Sequence, residues 1–435
     1  TKFERMIEKK KKKYVFLRDV RKDANTEGIT ALEFIPSNLE LSFVPVPLFQ
    51  SSFKVINERD LNRQNKTYEF FISEDKSKFL YKYTLVPKVK SNSTSKKMIG
   101  LHVFDENLQK IWGGEFEMPY TENRMKITDC KFTFDGSVYL LIKVLKENTV
   151  DLIGNYHYEV LTFQKNNTDQ KPIVLNVGQY TPITAFLYED EAHEVHVVNT
   201  YAKQHEGKTI YDVANGICFG KIVGNEYVPD PLKPGFYEIP LDAISQGASE
   251  KEMKMLKKDP DRIGIENLNI RNVYRMPDGS TKIIAEDYDI GYSGTTDLSS
   301  HPVTFARDVV IFSIDVNGKL EWVRVVPKNQ VWGDGTGIGA SLNSISKENT
   351  LHLFFVDTNN QGTPDYVHSN DIGAKFYIIA VTILPNGEIK RYSLGQIKGD
   401  KYYLMLRKFE KMGDDNLMGN SYRDNDNKLF SIKIE

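Results

Sequence analysis

From about residue 14 onward, the chain consists of short apolar or alternating runs separated by small polar breaks. The runs are four to eight residues long, and glycine, asparagine, aspartate and proline stand between them. This pattern is typical of β-strands joined by tight turns, because alternate strand side chains point to opposite faces and these turn residues tolerate the backbone angles required. The sequence therefore predicts an all-β protein of consecutive antiparallel hairpins.

One spacing recurs among these hairpins. The segments LHVFDENLQKIW (101–112) and IFSIDVNGKLEW (311–322) both place a tryptophan five residues after an Asp-x-Asn turn. Such a turn tolerates a positive φ while the flanking apolar residues pair across it. We therefore expect the two tryptophans to occupy equivalent, largely buried positions on the second strands of two hairpins. The repeated residues are Asp105, Asn107 and Trp112, and Asp315, Asn317 and Trp322.

Further copies of the turn support a repeated architecture. VTILPNGEIKRY keeps the turn at Asn386-Gly387, with Pro385 in a shifted register, and puts Tyr392 in place of the tryptophan. Related turns stand at 135–136 and 278–279. Repeated hairpins of this kind predict the blades of an irregular β-propeller. The alternative is turn chemistry common to any β protein, because no full blade-length period is sustained.

One segment departs from the strand pattern. Ser249 and Glu252 form a capping box at the start of ASEKEMKMLKK, and the helix should end at Asp259-Pro260 because proline cannot continue it. We therefore expect a short helix near 249–258, within an insertion at about 242–262. Since it is charged on most faces, it is predicted to cover the surface rather than to recognise a partner.

Length and charge limit the class of protein. With 435 residues, the chain exceeds the usual size of a single core, so it forms two domains or one modular β architecture. We expect one β-propeller-like domain at 14–435, preceded by a charged, solvated segment at 1–13 that contains EKKKKK. The 57 Lys and Arg nearly balance the 59 Asp and Glu, so no overall field favours nucleic acid or an anionic membrane.

Cysteine content and hydropathy bear on the compartment. Cys130 and Cys218 both lie in strand-like runs, which predicts buried thiols and excludes a disulfide framework of more than one bridge. No apolar run approaches the ~20 residues of a membrane span. The chain opens at Thr1 without a methionine, as a processed or trimmed protein would, so export is compatible with the sequence.

Several stretches together resemble a family of exported Bacteroidota proteins. The resemblance covers roughly residues 70–400. This chain departs from the family in two places: residues 1–65 match weakly, and the acidic-polar stretch that usually follows the late hairpin is VDTNNQG (356–362) here. The resemblance implies an irregular β-propeller located in the periplasm, outer membrane or cell surface, and it implies no reaction or catalytic residue. The stretches are SEDKSKFL (73–80), HVFDENLQKIWGGEFEMPY (102–120), DGSVYLLIKV (135–144), DGSTKIIAEDYD (278–289) and DVVIFSIDVNGKLEWVRVVPKNQ (308–330).

A cluster of carboxylates is the strongest indication of chemistry. Glu286, Asp287, Asp289 and Asp297 lie close together in the sequence, and paired carboxylates serve as acid, base or nucleophile in glycoside hydrolysis. Against this interpretation, three tryptophans are few for stacking on sugars, and acidic residues beside Gly291 are commonly a solvated loop. The cluster therefore predicts either an acidic surface loop or a carbohydrate-active site.

A second candidate is an oxygen-rich segment after a predicted strand. Asp357, Asn359, Gln361 and Asp365 alternate as oxygen ligands would in a calcium loop. The segment lacks a bidentate glutamate at the twelfth position, where His368 stands. A polar hairpin loop explains the pattern equally well, so calcium is the one metal considered and no other cofactor is expected.

A glycine-rich stretch begins at Trp332, Gly333 and Gly335. It lacks the Lys-Ser/Thr pair of a phosphate-binding loop, so we interpret it as a flexible loop able to contact a partner.

A pair of histidines is the remaining candidate for a metal site. His193 and His196 are three residues apart in a predicted strand and should point to opposite faces, so they cannot chelate one metal ion locally.

The sequence leaves three functional hypotheses. The leading one is a non-enzymatic scaffold of the bacterial cell envelope that presents propeller loops to a protein partner, because rigid blades with variable loops suit recognition. The second, from another class, is a carbohydrate-active enzyme or glycan-binding propeller that uses the carboxylates at 286–297. The third is a calcium-stabilised structural module.

Overall fold

The structure is a computed structural model, and a set of short segments lies outside the residues it describes. Neither the fold nor the sites below include them. The described residues run from 2 to 434 except 10–11, 22–25, 36–39, 42–43, 56–57, 60–64, 67, 87–94, 147–150, 167–170, 204–212, 230–234, 245–249, 259–262, 294–300, 333–341, 358–366, 369–374, 399–402, 405, 407–408, 413–415 and 424–425.

The described chain is all-β, as the hairpin pattern predicts, and its sheets follow one another along the chain and consist almost entirely of antiparallel strand pairs. Sheet 1 contains β1 (Lys2–Lys9), β2 (Lys12–Arg21), β3 (Thr26–Ile35), β4 (Glu40–Leu41) and β5 (Val46–Gln50), and a small hairpin follows with β6 (Glu58–Arg59) and β7 (Asn65–Lys66). Sheet 2 contains β8 (Tyr68–Ile72), β9 (Lys78–Leu85), β10 (Lys96–Asp105) and β11 (Lys110–Thr121). Sheet 3 contains β12 (Met125–Phe132), β13 (Val138–Leu145), β14 (Tyr156–Phe163) and β15 (Ile173–Val174).

The middle of the chain adds the only helices among the described residues. Sheet 4 contains β16 (Thr181–Glu189), β17 (Val195–Ala202), β19 (Gly216–Val223), β20 (Glu226–Pro229) and β21 (Phe236–Glu238), while β18 (Val213–Ala214) pairs with β22 (Ile265–Glu266). Between β21 and β22 lie α1 (Leu241–Ile244) and α2 (Glu250–Lys258). The helical insertion is therefore confirmed, and α2 ends at the residue before Asp259. The predicted cap, Ser249, lies outside the described residues.

Three more sheets complete the chain. Sheet 5 contains β23 (Leu268–Arg275), β24 (Thr281–Ser293), β25 (His301–Ile314), β26 (Leu320–Val326), β27 (Gln330–Trp332) and β30 (Val367–His368), the last pairing parallel to β27. Sheet 6 contains β28 (Leu342–Lys347), β29 (Thr350–Asp357), β31 (Lys375–Ile383) and β32 (Ile389–Lys398). Sheet 7 contains β33 (Tyr403–Leu404), β34 (Glu410–Met412), β35 (Asn416–Arg423) and β36 (Asp426–Lys433).

Each sheet packs against the next one along the chain through a separate apolar cluster. This serial burial gives a long chain many small cores in place of one large core. Representative residues are Phe16 and Tyr81 between sheets 1 and 2, Leu101 and Leu140 between 2 and 3, Leu141 and Val197 between 3 and 4, Phe219 and Phe312 between 4 and 5, Ile311 and Leu353 between 5 and 6, and Phe354 and Leu417 between 6 and 7.

The predicted segment boundary near residue 13 does not coincide with the end of an element. Strand β1 pairs antiparallel with β2, and Lys9 lies opposite Lys12 in that ladder. The described lysines on either side of residues 10–11 are therefore paired in sheet 1. The single domain at 14–435 stays a prediction.

The tryptophan repeat is confirmed in register. Trp112 lies opposite Val103 and Trp322 lies opposite Ser313, and each pair adjoins a bulge at the same place in its hairpin. Each indole Nε1–H donates to a backbone carbonyl in a turn of the next sheet, at Gly136 over 2.9 Å and at Pro385 over 3.0 Å. Trp112 is buried, but Trp322 is only partly buried, which corrects the expectation for that residue.

The aspartates of the repeat are explained by hydrogen bonding. Asp105 Oδ1 accepts the backbone N–H groups of Asn107 and Gln109 at 2.8 and 2.9 Å. Asp315 Oδ1 accepts those of Asn317 and Lys319 at 2.9 and 2.7 Å. The carboxylate thus satisfies two donors that the tight turn leaves without a strand partner.

The cysteines follow the sequence prediction in part. Both thiols are free; Cys218 is buried, while Cys130 is partly exposed. Burial raises the pKa of the Cys218 thiol to about 12. A thiol with so high a pKa is almost entirely protonated at neutral pH and is therefore a poor nucleophile.

Candidate functional site

The first strands of neighbouring sheets lie side by side and carry the polar residues of the candidate site. Strands β12, β16, β23 and β28 each stand at one end of their sheet. Contacts join β12 to β16 and β16 to β23, and the Thr184 hydroxyl donates to the carbonyl of Leu268 over 3.1 Å. Tyr274 on β23 donates to the carbonyl of Ser344 on β28 over 2.7 Å. These edges form a continuous row between the sheets.

Three of these edge strands carry a bulge. The registers shift between Ile127 and Asp129 in β12, between Pro182 and Thr184 in β16, and between Ile270 and Asn272 in β23. A bulge leaves one residue without an opposite partner and turns its side chain away from the regular ladder. The bulges therefore interrupt the regular pairing of these edge strands, and clefts lie between the neighbouring sheets along them.

The first cleft has a volume of about 360 Å³ and is formed by sheets 3, 4 and 5. Its lining is mostly polar and combines carboxylates, amides, a lysine and tyrosine rings. Residues that contribute functional groups are Lys143, Asp151, Tyr156, Asn269, Tyr288 and Asp289. Such a set supplies both donors and acceptors for a polyhydroxylated or otherwise polar ligand.

Ion pairs fix the charged side of the first cleft. Asp151 accepts Lys126 Nζ at 2.7 Å and also contacts Lys143 Nζ, which lies 3.6 Å from the centre of the Tyr156 ring. Burial raises the pKa of Asp151, but the hydrogen bonds from the two lysines outweigh this and hold that pKa below its ordinary value. Asp151 is therefore a carboxylate at neutral pH.

The opposite side of the first cleft is ordered by amide hydrogen bonds. Asn269 Nδ2 donates to the backbone carbonyls of Asn267 at 2.5 Å and Tyr288 at 2.9 Å. Asp289 Oδ1 accepts the backbone N–H of Ile290 at 2.7 Å. The hydrogen bond from Asn269 to Tyr288 joins β23 to β24 at the cleft, and the other two contacts are local to their own segments.

The second cleft has a volume of about 330 Å³ and lies where β23 faces β28. It is lined by Arg271, Asn272, Glu286, Asn343 and Ser344 together with Tyr288, which also lines the first cleft. The two clefts therefore meet at Tyr288 and form one polar surface along the edge strands.

Glu286 anchors the second cleft through a buried ion cluster. Its Oε1 accepts Lys328 Nζ at 2.6 Å and its Oε2 accepts Arg271 Nε at 2.6 Å. Lys328 also donates to the Ala306 carbonyl and to Gln330 Oε1, each at 3.1 Å, so all three of its N–H bonds are used. Such full satisfaction is what allows a charged pair to be buried.

The protonation states in this cluster follow from its charges. Burial raises the pKa of Glu286, but Lys328 and Arg271 more than offset it and hold the pKa below its usual value. Burial lowers the pKa of Lys328, and Glu286 opposes that change. Glu286 is thus an anion between two cations, which is the wrong state for a general acid at neutral pH.

Asp287 lies at a bulge of β24, where a single residue faces two residues of β25. Arg307 Nε lies 2.9 Å from Asp287 Oδ2, and Arg307 Nη2 donates to Oδ1 at 3.1 Å. Burial raises the pKa of Asp287 to about 6 despite this pairing, and the adjacent Asp308 adds to the rise. Its pKa is therefore closer to neutrality than that of an exposed aspartate.

Asp287 should give the stability of the protein a pH dependence of defined sign. Because its pKa is about 6 in the folded chain, the folded state binds the proton more tightly than the unfolded state, and the free energy of unfolding should fall as pH rises from about 4 to 6. The expected loss is on the order of 2 kcal/mol. Denaturant midpoints measured across this range should show the loss in the wild type and lose it in Asp287→Asn; equal slopes in the two proteins would contradict this assignment.

The prediction that the acidic residues form a surface loop is wrong for the three that the structure describes. Glu286, Asp287 and Asp289 lie in β24, and the first two are buried. The reason is that Lys328, Arg271 and Arg307 supply opposite charges that sequence neighbours do not reveal. Asp297 lies outside the described residues.

The other predicted sites are only partly described. Asp357 ends β29, is buried, and pairs with Arg391 Nη2, so its carboxylate serves an ion pair. The other calcium candidates, Asn359, Gln361 and Asp365, lie outside the described residues, and calcium stays a prediction. Trp332 ends β27, while Gly333 and Gly335 also lie outside them.

The two histidines have separate partners, but the prediction that both lie in a strand is wrong, because only His196 lies in β17. His193 lies in a turn with φ +61°, stacks on Phe134 and approaches Glu189 at 3.2 Å. His196 Nε2 lies 2.8 Å from Asp190 Oδ2. Glu194 is also close enough to Asp190 and His196 for the three to bind one metal ion, but Lys221 Nζ lies 3.0 Å from Glu194. Asp190 already closes the hairpin turn through two backbone N–H groups.

Of the residues that build the clefts, the sequence identified Glu286 and Asp289 but not their partners. Arg271, Lys328, Asp151 and Asn269 stand in no motif and are separated by long stretches of chain. Lys328 follows the run VVP but stands beside polar residues in VRVVPKNQV, so its burial and its need for an acidic partner are not visible locally.

Comparisons with known proteins give resemblances in shape. No protein-family model matches the chain, and no curated protein matches its sequence. Among solved structures, it is similar to an ulvan lyase of a polysaccharide lyase family, with 10% identity, 99% of this chain and 91% of that chain covered, and a TM-score of 0.43. It is also similar to a thermostable family-43 glycoside hydrolase, with 12% identity, 74% of this chain and 90% of that chain covered, and a TM-score of 0.30. An endo-arabinase from Bacteroides thetaiotaomicron is similar at 12% identity, with 69% of this chain and 91% of that chain covered and a TM-score of 0.25. Values this low establish no activity for this chain.

Among the residues that the structure describes, no helix is long and apolar enough to cross a bilayer.

Proposed function

We propose that this chain is a glycan-binding β-propeller whose ligand lies along the edge strands on both sides of Tyr288. One observation carries the proposal: the two polar clefts of sheets 3 to 6 meet at that tyrosine. Sugars offer many hydroxyl groups and apolar ring faces, and a surface of carboxylates, amides and tyrosines complements both.

The propeller architecture is part of this proposal. Seven sheets of four or more strands follow one another among the described residues, and the apolar clusters connect each sheet with the next. Closing such a series into a ring would protect the sheet edges and place the edge strands around a central channel. Contacts between sheet 1 and sheet 7 would be the structural test of closure.

Binding is favoured over hydrolysis by the charges of the clefts. A glycoside hydrolase needs a carboxylic acid with a raised pKa beside a second carboxylate. Two of the three cleft carboxylates, Asp151 and Glu286, are held below their ordinary pKa by cations, and the third, Asp289, lines only the first cleft with Asp151. Asp287 has the raised pKa, but it pairs with Arg307 and is not among the lining residues. We therefore propose a binding protein rather than an enzyme.

Titration of neutral and acidic oligosaccharides by calorimetry tests the binding function. Asp289→Asn and Tyr288→Leu should each weaken binding by about tenfold, because one removes an anionic acceptor and the other an aromatic surface at the junction of the clefts. Glu226→Gln, which removes one negative charge from the exposed start of β20, should bind as the wild type does. Absence of binding to every glycan would refute the proposal, and release of new reducing ends or unsaturated sugars would replace it with an enzymatic function.

The leading sequence hypothesis, a scaffold for a protein partner in the cell envelope, stays a prediction. It rests on the repeated hairpins and the loops they present; the candidate partner loop begins at Trp332, and residues 333–341 lie outside the described part of the chain. The extracytoplasmic location implied by the family resemblance is compatible with a glycan-binding protein and stays part of the proposal. Co-purification with one stoichiometric protein and no affinity for glycans would favour the scaffold.

A further inference from the structure

Arg271 is the residue that the bulge of β23 directs toward the second cleft. Ile270 lies opposite Ala285 and Asn272 lies opposite Ile284, so Arg271 between them has no residue opposite it in β24. A regular strand would alternate these side chains strictly between its two faces. The bulge instead leaves Arg271 partly exposed beside the cleft.

The guanidinium group of Arg271 is held in position before any ligand arrives. Its Nε donates to Glu286 Oε2 over 2.6 Å, and its central carbon lies 4.2 Å from the centre of the Tyr288 ring. Within the described part of the chain, its two Nη groups have no hydrogen-bond partner. The outer edge of the guanidinium therefore keeps the paired donors that bind planar anions.

The positive charge of Arg271 is not cancelled by its carboxylate neighbour. Glu286 shares its single negative charge between Arg271 and Lys328, and Lys328 is fully buried behind it. Asp287 is paired with Arg307. The three charges of Arg271, Lys328 and Glu286 sum to one net positive charge. Asp308 also interacts with Lys328 and Arg307, but neither Lys328 nor Asp308 lines the cleft, so Arg271 presents the positive charge there.

The neighbouring polar residues are already committed to the fold. Asn343 Nδ2 donates to the carbonyls of Leu406 at 2.7 Å and Phe409 at 2.9 Å. Asn272 Nδ2 donates to Tyr274, whose hydroxyl also contacts Ser344. Arg271 is therefore the charged group of this cleft with donors left for a ligand.

We propose that Arg271 receives the anionic group of an acidic glycan, either a uronic acid carboxylate or a sulfate ester. This inference rests on the proposed glycan-binding function and names its substrate class. Both groups present two oxygens that match the paired Nη donors, and both are bound more strongly by a prearranged guanidinium than by a flexible ammonium group.

Calorimetry with two matched pairs of oligosaccharides tests the inference. One pair is an oligogalacturonate and its methyl ester; the other is a sulfated galactan oligosaccharide and its desulfated form. The wild type should bind the acidic member of at least one pair about tenfold or more tightly than the neutral member, and Arg271→Met should lose that preference. Arg275→Met, on the same strand but outside the clefts, is the matched control and should keep the preference.

The outcomes separate this inference from the function on which it rests. Preference for the carboxylate pair or the sulfate pair alone identifies the group, and preference in both pairs supports the shared chemistry. Equal affinity for acidic and neutral sugars, or an undiminished preference in Arg271→Met, overturns the role of Arg271 but leaves glycan binding intact. No binding to any of the four sugars overturns both. If Arg271→Met does not fold, Arg271→Lys retains the charge beside Glu286 and should still lose most of the preference; an unchanged preference there also overturns the inference.

Discussion

Replacement of Lys328 by methionine is expected to lower the free energy of unfolding by about 3–5 kcal/mol, because it leaves the buried Glu286 carboxylate with one cation in place of two. The ammonium group is fully buried and donates three hydrogen bonds, to Glu286, Ala306 and Gln330. Methionine fills a similar volume, so the loss would reflect charge and hydrogen bonding rather than a cavity. Chemical denaturation should show a lower midpoint at an unchanged slope.

Two controls define the cause of that loss. Lys390→Met removes a lysine from a pair with Glu388 in which both side chains are about half exposed and 3.6 Å apart, and it should change stability by less than about 1 kcal/mol. The double variant Glu286→Gln with Lys328→Met removes both buried charges and should recover part of the stability, since an uncompensated carboxylate no longer remains. Equal destabilisation by the single and double variants would show that packing, not the charge, dominates at this site.

Local chemistry made much of the fold predictable. The turns at 135–136 and 278–279 were expected from Asp-Gly, and in both the aspartate accepts the backbone N–H of a serine two residues later. The helix after residue 249 was expected from its capping pattern and proline stop. These features depend on residues within one hairpin or one helical turn, so the sequence displays them directly.

The clefts were not predictable in the same way. Glu286 meets Lys328 at a separation of 42 residues and Arg271 at a separation of 15, and the bulge that turns Arg271 outward depends on the pairing of two strands. Without these partners, EDYD followed by glycine has the composition of a solvated loop. A buried ion cluster becomes visible only when the strands are aligned, because each charge is acceptable there only in the presence of the others.

Replacement of Trp112 by alanine is expected to cost about 3–5 kcal/mol of unfolding free energy, since it empties a buried site between sheets 2 and 3. The indole lies within the apolar cluster that contains Leu101 and Leu140, and its Nε1–H donates to the carbonyl of Gly136. Trp322→Ala, at the equivalent position but only partly buried, should cost less, about 1–3 kcal/mol. The measurement is the denaturant midpoint of both variants under the same conditions.

The hydrogen bond and the packing of Trp112 can be separated by one further change. Trp112→Phe keeps an aromatic ring in the cluster but removes the N–H that donates to the Gly136 carbonyl. Loss of this hydrogen bond should lower the free energy of unfolding by only about 1 kcal/mol. Most of the effect of alanine should therefore come from apolar burial between the two sheets. If Trp112→Ala and Trp322→Ala cost the same, burial would not explain the ranking, and the two positions would be held mainly by their common hydrogen bond to the next sheet. A larger cost at Trp112, with phenylalanine recovering most of it, would identify the packing between sheets as the main contribution of this repeated residue.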